Sequence, residues 1–174
     1  MKNIVFKNGL ISVAIIMGIQ LITYLVYGLP NSSNFDRDEI IGYISIVACL
    51  LFVFFGIREY VLLYSKGSFL KYLGIGAAIS LFPSMAFGAY SVVYYKWINP
   101  NFLKEYGDYQ IEKLKSTLPA DEFEVAKSQF MEEMALWDSV SSQFIIMFLT
   151  VFVIGLIIST LSALYFQLKT SKNG

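Results

Sequence analysis

The sequence predicts an all-α fold: an integral-membrane four-helix bundle with a small extracytoplasmic helical hairpin between its third and fourth spans. Three observations predict it. Four apolar stretches, at about residues 8–29, 40–64, 69–95 and 144–168, are each long enough to cross a bilayer, which takes about 20 predominantly apolar residues. Hydrophobic residues make up 56% of the 174 positions and charged ones 15%, well away from the roughly half and one quarter of ordinary soluble domains. The third observation is the unequal sorting of charge between the gaps. The N-terminal tail, the 58–71 connection and the C-terminal tail hold seven basic residues and one acid, Glu59, while the 31–39 loop and the 96–142 segment hold six basic residues and twelve acids.

Lys and Arg are retained on the cytoplasmic side of a membrane. With an even number of spans, both termini are expected inside and the acidic 97–142 segment outside. Tyr and Trp collect at membrane interfaces. Tyr24, Tyr27, Tyr43, Tyr90, Tyr94, Tyr95, Trp97 and Trp137 fall at outer ends of the spans, and Tyr60, Tyr64, Tyr72 and Tyr165 at inner ends. The whole chain, 1–174, reads as a single membrane domain.

Span 1 follows Lys2 and Lys7 as a signal peptide would, but it is too long for an h-region of about 7–15 residues and ends in Tyr27-Gly28-Leu29-Pro30 without a small-x-small site. A retained span is expected. Gln20 near its mid-depth should face another helix, because an amide facing lipid is unfavourable. Spans 2 and 3 are joined by Ser65-Lys66-Gly67-Ser68 alone, so they must be antiparallel neighbours, with Gly67 suited to a left-handed helix cap. Span 3 is rich in small residues (Gly74, Gly76, Ala77, Ala78, Ser80, Ser84). Pro83 removes a donor in its middle and is expected to kink it, with Ser80 or Ser84 satisfying freed carbonyls.

Pro100 is expected to end or bend the extension of span 3. Residues 103–118 are compatible with a helix, and Thr117-Leu118-Pro119-Ala120-Asp121-Glu122 reads as a helix start, with proline in the first turn and acids at the positive end of the dipole. Phe123, Ala126, Phe130, Met134, Trp137, Val140 and Phe144 recur at threes and fours. This period predicts one unbroken helix over 119–168, about 75 Å tall at 1.5 Å per residue. Gly155, Ser159 and Ala163 form a small-xxx-small face on span 4, suited either to internal packing or to a dimer seam.

Few residues suggest chemistry. The chain has no histidine and one cysteine, Cys49, in mid-span. The commonest general base is therefore missing, and neither an intrachain disulfide nor a multi-cysteine metal site can form. Arg58 and Glu59 are the foremost candidates, since intramembrane ionisable residues mark functional sites by default. Adjacent residues do not face one another on a helix. Arg58 is thus expected either to clamp a lipid headgroup or partner carboxylate or to snorkel to the interface, and Glu59 to face basic neighbours such as Lys71. The hairpin acids (Asp121, Glu122, Glu124, Glu132, Glu133, Asp138) match no calcium-loop spacing and read as a solvated face. There is no Gly-rich phosphate loop, serine elbow or basic nucleic-acid patch.

Several runs resemble a widespread bacterial family of four-span membrane proteins that carries only a domain-of-unknown-function label. They are Phe55-Gly56-Ile57-Arg58-Glu59-Tyr60, the Lys66-Gly67-Ser68-Phe69 turn, Gly74, and Tyr94-Tyr95-Lys96-Trp97-Ile98-Asn99-Pro100-Asn101-Phe102. Val61-Leu62-Leu63 departs from the pattern, which would place a further basic residue after the tyrosine. The resemblance implies a bacterial inner membrane and supplies no activity.

The expected function is that of a non-catalytic membrane protein, an assembly or accessory subunit. Its contacts would be membrane lipids and either a second copy of itself or another membrane protein, with Arg58, Glu59 and Gln20 as candidate contacts and Pro83, Gly67 and Pro100 as shape-determining residues. No cofactor, metal or nucleic acid is expected. The alternative is a small transporter or channel subunit working as an oligomer, with Gln20, Arg58, Glu59 and the Pro83 kink along its path. A lipid-modifying enzyme is disfavoured by the lack of histidine and of clustered acids at one membrane face.

Overall fold

A computed structural model describes residues 1–64, 67–137 and 139–172. Among them there are six α-helices and no strand: α1 (Lys2–Tyr27), α2 (Phe35–Tyr64), α3 (Phe69–Val93), α4 (Phe102–Thr117), α5 (Ala120–Ala135) and α6 (Val140–Lys172), with a π-helical turn at Tyr94–Ile98 after α3. α1, α2, α3 with its π turn, and α6 are each long and apolar enough to cross a membrane. Each coincides with one of the apolar stretches; the last three contain theirs, while α1 starts earlier than its stretch and ends at Tyr27, two residues short of it. Leu25, Leu62 and Leu70 are 72%, 71% and 74% exposed. Apolar side chains displayed so widely suit a solvent of lipid rather than water.

The four long helices alternate in direction. α2 and α3 form the central pair, with α1 and α6 on either side of it. The core runs through Ile16, Leu50, Val53, Ile57, Ile79 and Val151, all fully buried, together with Cys49. Its tightest seam lies between α3 and α6. A Cβ on Gly76 would fall 2.5 Å from Ser159 Oγ, and one on Gly155 would fall 2.5 Å from Ser80 Oγ. Each glycine therefore receives the serine of the other helix. The serine hydroxyls donate to their own helix, Ser80 to the Gly76 carbonyl at 3.0 Å and Ser159 to the Gly155 carbonyl at 2.6 Å, so the backbones approach with both hydroxyls paired. The small face of α6, with Ala163 buried beside it, is thus internal packing against α3.

Three expectations need correction. The 119–168 helix is not continuous: α5 ends at Ala135 and α6 begins at Val140. The apolar period does run through, but Ser139 wins locally as a helix cap. Its hydroxyl accepts from Ser142 N at 3.0 Å, its carbonyl accepts from Gln143 N at 3.0 Å, and Gln143 Nε2 reaches back to the Trp137 carbonyl at 2.9 Å. Gly67 is not left-handed. Gly28, at φ 74, is the positive-φ glycine among the described residues, and it follows α1. Gly67 instead admits Tyr72, whose ring a Cβ there would meet at 2.6 Å. The cap of the 2–3 turn is Ser68, whose hydroxyl accepts from Lys71 N at 3.3 Å; Ser65 and Lys66 of that turn lie outside the described residues, as does Asp138 of the acidic set. Finally, Pro83 leaves the Ile79 carbonyl without its helical donor, yet neither serine serves it. Ser80 bonds Gly76, and Ser84 bonds the Ser80 carbonyl at 2.8 Å.

Between α4 and α5 the chain turns at Leu118 and Pro119, giving the short hairpin expected above the spans. Neither helix of the hairpin buries a residue fully. It is fastened to the bundle by Phe35 at the start of α2, which is 3% exposed. The Phe35 ring lies 5.7, 5.5 and 5.3 Å from those of Phe102, Tyr106 and Tyr109 on α4.

Candidate functional site

Polar groups collect at the two ends of the bundle. At the end that carries the termini, Glu59 on α2 meets α1. Its Oε1 accepts from Lys7 Nζ at 2.7 Å, and its Oε2 accepts from Asn8 Nδ2 at 3.1 Å. Asn8 is buried and also donates to the Ile4 carbonyl at 2.9 Å. Glu59 therefore pairs with α1, correcting the expected pairing with Lys71. One turn deeper, the Ser12 hydroxyl lies 2.9 Å from both the Asn8 and the Cys49 carbonyls and ties the same two helices. Arg58, one residue before Glu59, points elsewhere, as a 100° step around a helix requires. It is exposed and makes no ion pair among the described residues. Arg58 and Glu59 thus share a position along α2 but not a site.

The hairpin end is built differently. Between the ends of α1, α2, α3 and α6, and beneath α4 and α5, lies a cleft of about 480 Å³. Gln20, the third candidate, lines it and donates to Ser45 Oγ at 3.4 Å, facing α2 as an amide at that depth should. Arg58 and Glu59 do not reach it. The floor is set by Ile46, Ile146 and Thr150, and below them the core is closed.

The walls are aromatic. Tyr90 and Tyr94 stand 5.8 Å apart, Tyr94 and Phe102 5.5 Å, and Tyr95 and Trp137 6.0 Å in an edge-to-face contact. The π turn brings this about: the Asn99 N–H reaches the Tyr94 carbonyl at 2.8 Å, five residues back, which widens the last turn and sets adjacent tyrosines into one wall. Pro100 follows at once, where an extended Asn99 (φ −137, ψ 78) is compatible with the ring and the helix cannot continue. The Tyr94 hydroxyl is buried and makes no hydrogen bond among the described residues.

Tyr24, Tyr43, Tyr90, Tyr94, Tyr95 and Trp137, expected simply as an interfacial belt, line the cleft. Sequence reasoning missed its rim. Arg37 lies over the Tyr27 ring, 4.1 Å from guanidinium carbon to centroid, and pairs with Asp38 at 2.8 Å. Phe35 was missed as well. Its position just after the 31–34 turn, in a loop otherwise polar, was the available signal.

Asp36 accepts from Lys113 Nζ at 2.9 Å and from the Tyr109 hydroxyl at 3.0 Å, clasping α4 to the start of α2. The bond to Asp36 raises both Lys113 and Tyr109 above their ordinary ranges. Tyr106, beside them, is raised by burial. Among the described residues no cluster of acids, cysteine or histidine could hold a metal ion.

The model of one protein family, described as a protein of unknown function (DUF4199), matches residues 7–167. The chain belongs to that family. The matched DUF4199 region contains all the runs on which the resemblance rests, from Phe55 to the exit of span 3 at Phe102, and extends through α6. No curated protein and no solved structure matches the chain. Membership in DUF4199 carries no activity.

Proposed function

We propose that this DUF4199 protein is a non-catalytic accessory subunit of the bacterial cytoplasmic membrane. Its termini and the Lys7–Glu59 cluster face the cytoplasm, and its hairpin faces outward. It works by holding a ligand or a partner segment in the hairpin-end cleft. The charge distribution supports the orientation, with a formal +6 on the tail side against −6 on the hairpin side.

One observation carries the reading: the cleft is blind. It reaches Gln20 and stops at Ile46 and Thr150, and the half of the bundle beneath is packed through Leu50, Val53 and the Gly76–Ser159 seam. A pocket open at one end suits capture, whereas a transport path would need a second opening. The alternative, an oligomeric transporter or channel subunit, draws on the entry of the cleft as far as Gln20.

A photoactivatable phenylalanine analogue in place of Tyr43, at the mouth of the cleft, tests the reading in native membranes. A discrete adduct is expected there, and only heterogeneous lipid adducts from the same analogue at Val153 on the exposed face of α6. In planar bilayers the purified chain should leave conductance at the lipid baseline. A reproducible current, or identical adduct patterns from both positions, would overturn the proposal.

A further inference from the structure

The chemistry of the cleft indicates what it holds. Asp38, Glu39 and Glu133 line it, and no lysine or arginine does so among the described residues. Asp38 is already committed: its Oδ1 accepts from Arg37 Nε at 2.9 Å and Nη2 lies 2.8 Å away. Glu39 and Glu133 form no ion pair among the described residues. They come from α2 and α5, so exposed carboxylates from two separate elements line the cavity, with Lys113, which is not among its lining residues, sensing the charge of Glu39. Between them stands the wall of Tyr90, Tyr94, Tyr95, Phe102 and Trp137, whose ring faces carry partial negative charge.

A cleft with carboxylates at its rim, aromatic faces along its sides and a floor that is apolar but for Gln20 and Thr150 repels anions. It offers a neutral apolar molecule only part of its surface. A cation bearing an apolar body matches all three. The chain demonstrates the same recognition at its own rim, where the Arg37 guanidinium lies 4.1 Å over Tyr27 and pairs with Asp38. Inside the cleft the rings continue, and no lysine or arginine lines it among the described residues.

We propose that the cleft binds an organic ammonium group carrying an apolar substituent, with Glu39 and Glu133 supplying charge and the Tyr90–Tyr94–Trp137 wall supplying cation–π contact. The group could arrive on a soluble amine or on an ammonium-bearing lipid headgroup; the chemistry is shared. This inference rests on the cleft being a binding site, as proposed above.

The test uses the full chain with Trp97→Phe, so that Trp137 alone reports, in nanodiscs of phosphatidylglycerol. The probes are benzyltrimethylammonium and its uncharged isostere neopentylbenzene. Saturable change in Trp137 fluorescence is expected for the cation, with at least tenfold tighter binding than for the isostere. Glu39→Gln with Glu133→Gln should weaken the cation at least fivefold and leave the isostere unchanged. If phosphatidylethanolamine in the disc competes the cation away, the source is a headgroup; if the cation binds undiminished, it is a soluble amine. Equal affinity for the two probes, or indifference to the double substitution, would sink the ammonium assignment while leaving a binding cleft. Saturation by neither probe would remove both readings. Current through the reconstituted chain with cation binding intact would remove only the accessory role.

Discussion

Glu59 and Arg58 are adjacent in sequence and unlike in circumstance. The Glu59 carboxylate accepts from Lys7, itself half exposed, and from Asn8, which is buried. An exposed ion pair contributes about 0–1 kcal/mol, so the Lys7 contact is the lesser of the two. Losing a buried amide that also holds the Ile4 carbonyl removes about 1–3 kcal/mol. Asn8→Ala is therefore expected to destabilise the protein more than Lys7→Ala in detergent unfolding assays. Part of that loss should vanish in a Glu59→Ala background, because the two share one bond. Arg58→Ala should leave unfolding unchanged and lower the amount of copurifying anionic lipid, read by native mass spectrometry. Additivity of Asn8→Ala with Glu59→Ala would contradict the geometry. That a charged pair sat near one membrane face was legible in the sequence. Which neighbour each would take was not, because Lys7 and Lys71 are equally near on charge alone and only the packing of α1 against α2 chooses.

Among the helices, the α3–α6 seam is the most demanding. A methyl group at Gly76 would strike Ser159 and come within 3.0 Å of Val53, whereas Gly74 has open space around it. Overpacking a core typically removes about 1–3 kcal/mol, while alanine improves an open helical glycine by up to about 1 kcal/mol. Gly76→Ala should lower the unfolding temperature, and Gly74→Ala should hold or raise it. The reverse order in a thermal shift measurement would show the seam to be loose. Small residues in spans 3 and 4 advertised close packing in advance, but their spacing could not distinguish an internal seam from one between copies. The break at 136–139 was hidden for the opposite reason. Trp137, Val140 and Phe144 continue the apolar period across it, and the competing capping bonds of Ser139 and Gln143 leave no mark in a hydrophobicity pattern. The spans themselves were fully legible, since bilayer thickness fixes helix length and leaves few alternatives.

The molecule as a whole is a closed bundle with a capped cleft, and the cap is held by Phe35 and by the Asp36–Lys113–Tyr109 clasp. Replacing a buried phenylalanine by alanine removes about 3–5 kcal/mol, more than the hairpin's lightly buried contacts can replace. Phe35→Ala is expected to release α4 and α5, raising their amide exchange while the spans stay protected. If exchange in 102–135 is unchanged, the anchoring role fails. The clasp adds a pH dependence of defined sign. Lys113 and Tyr109 both bind their protons more tightly in the folded state, so their contribution is complete below the ordinary lysine range near pH 10 and is lost as pH rises through the raised values. Hairpin protection should stay flat with respect to these two groups through neutral pH and fall in strong alkali; Asp36→Asn should abolish that fall. The cleft was the least legible part. Tyrosines at helix ends satisfy an interface and a cavity equally well, and only the π turn and the overhanging hairpin decide between them.

The interlocking of Gly76 with Ser159 and Ser80 with Gly155 also acts as a key for alignment. A slip of one turn, about 5.4 Å, would set Gly76 facing Gly155 in one direction and leave an empty slot. In the other it would force Ser80 onto Ser159. Two hydrogen-for-hydroxymethyl matches thus fix how high the last helix stands beside the third, and with it the height at which the hairpin roof closes over the chamber below.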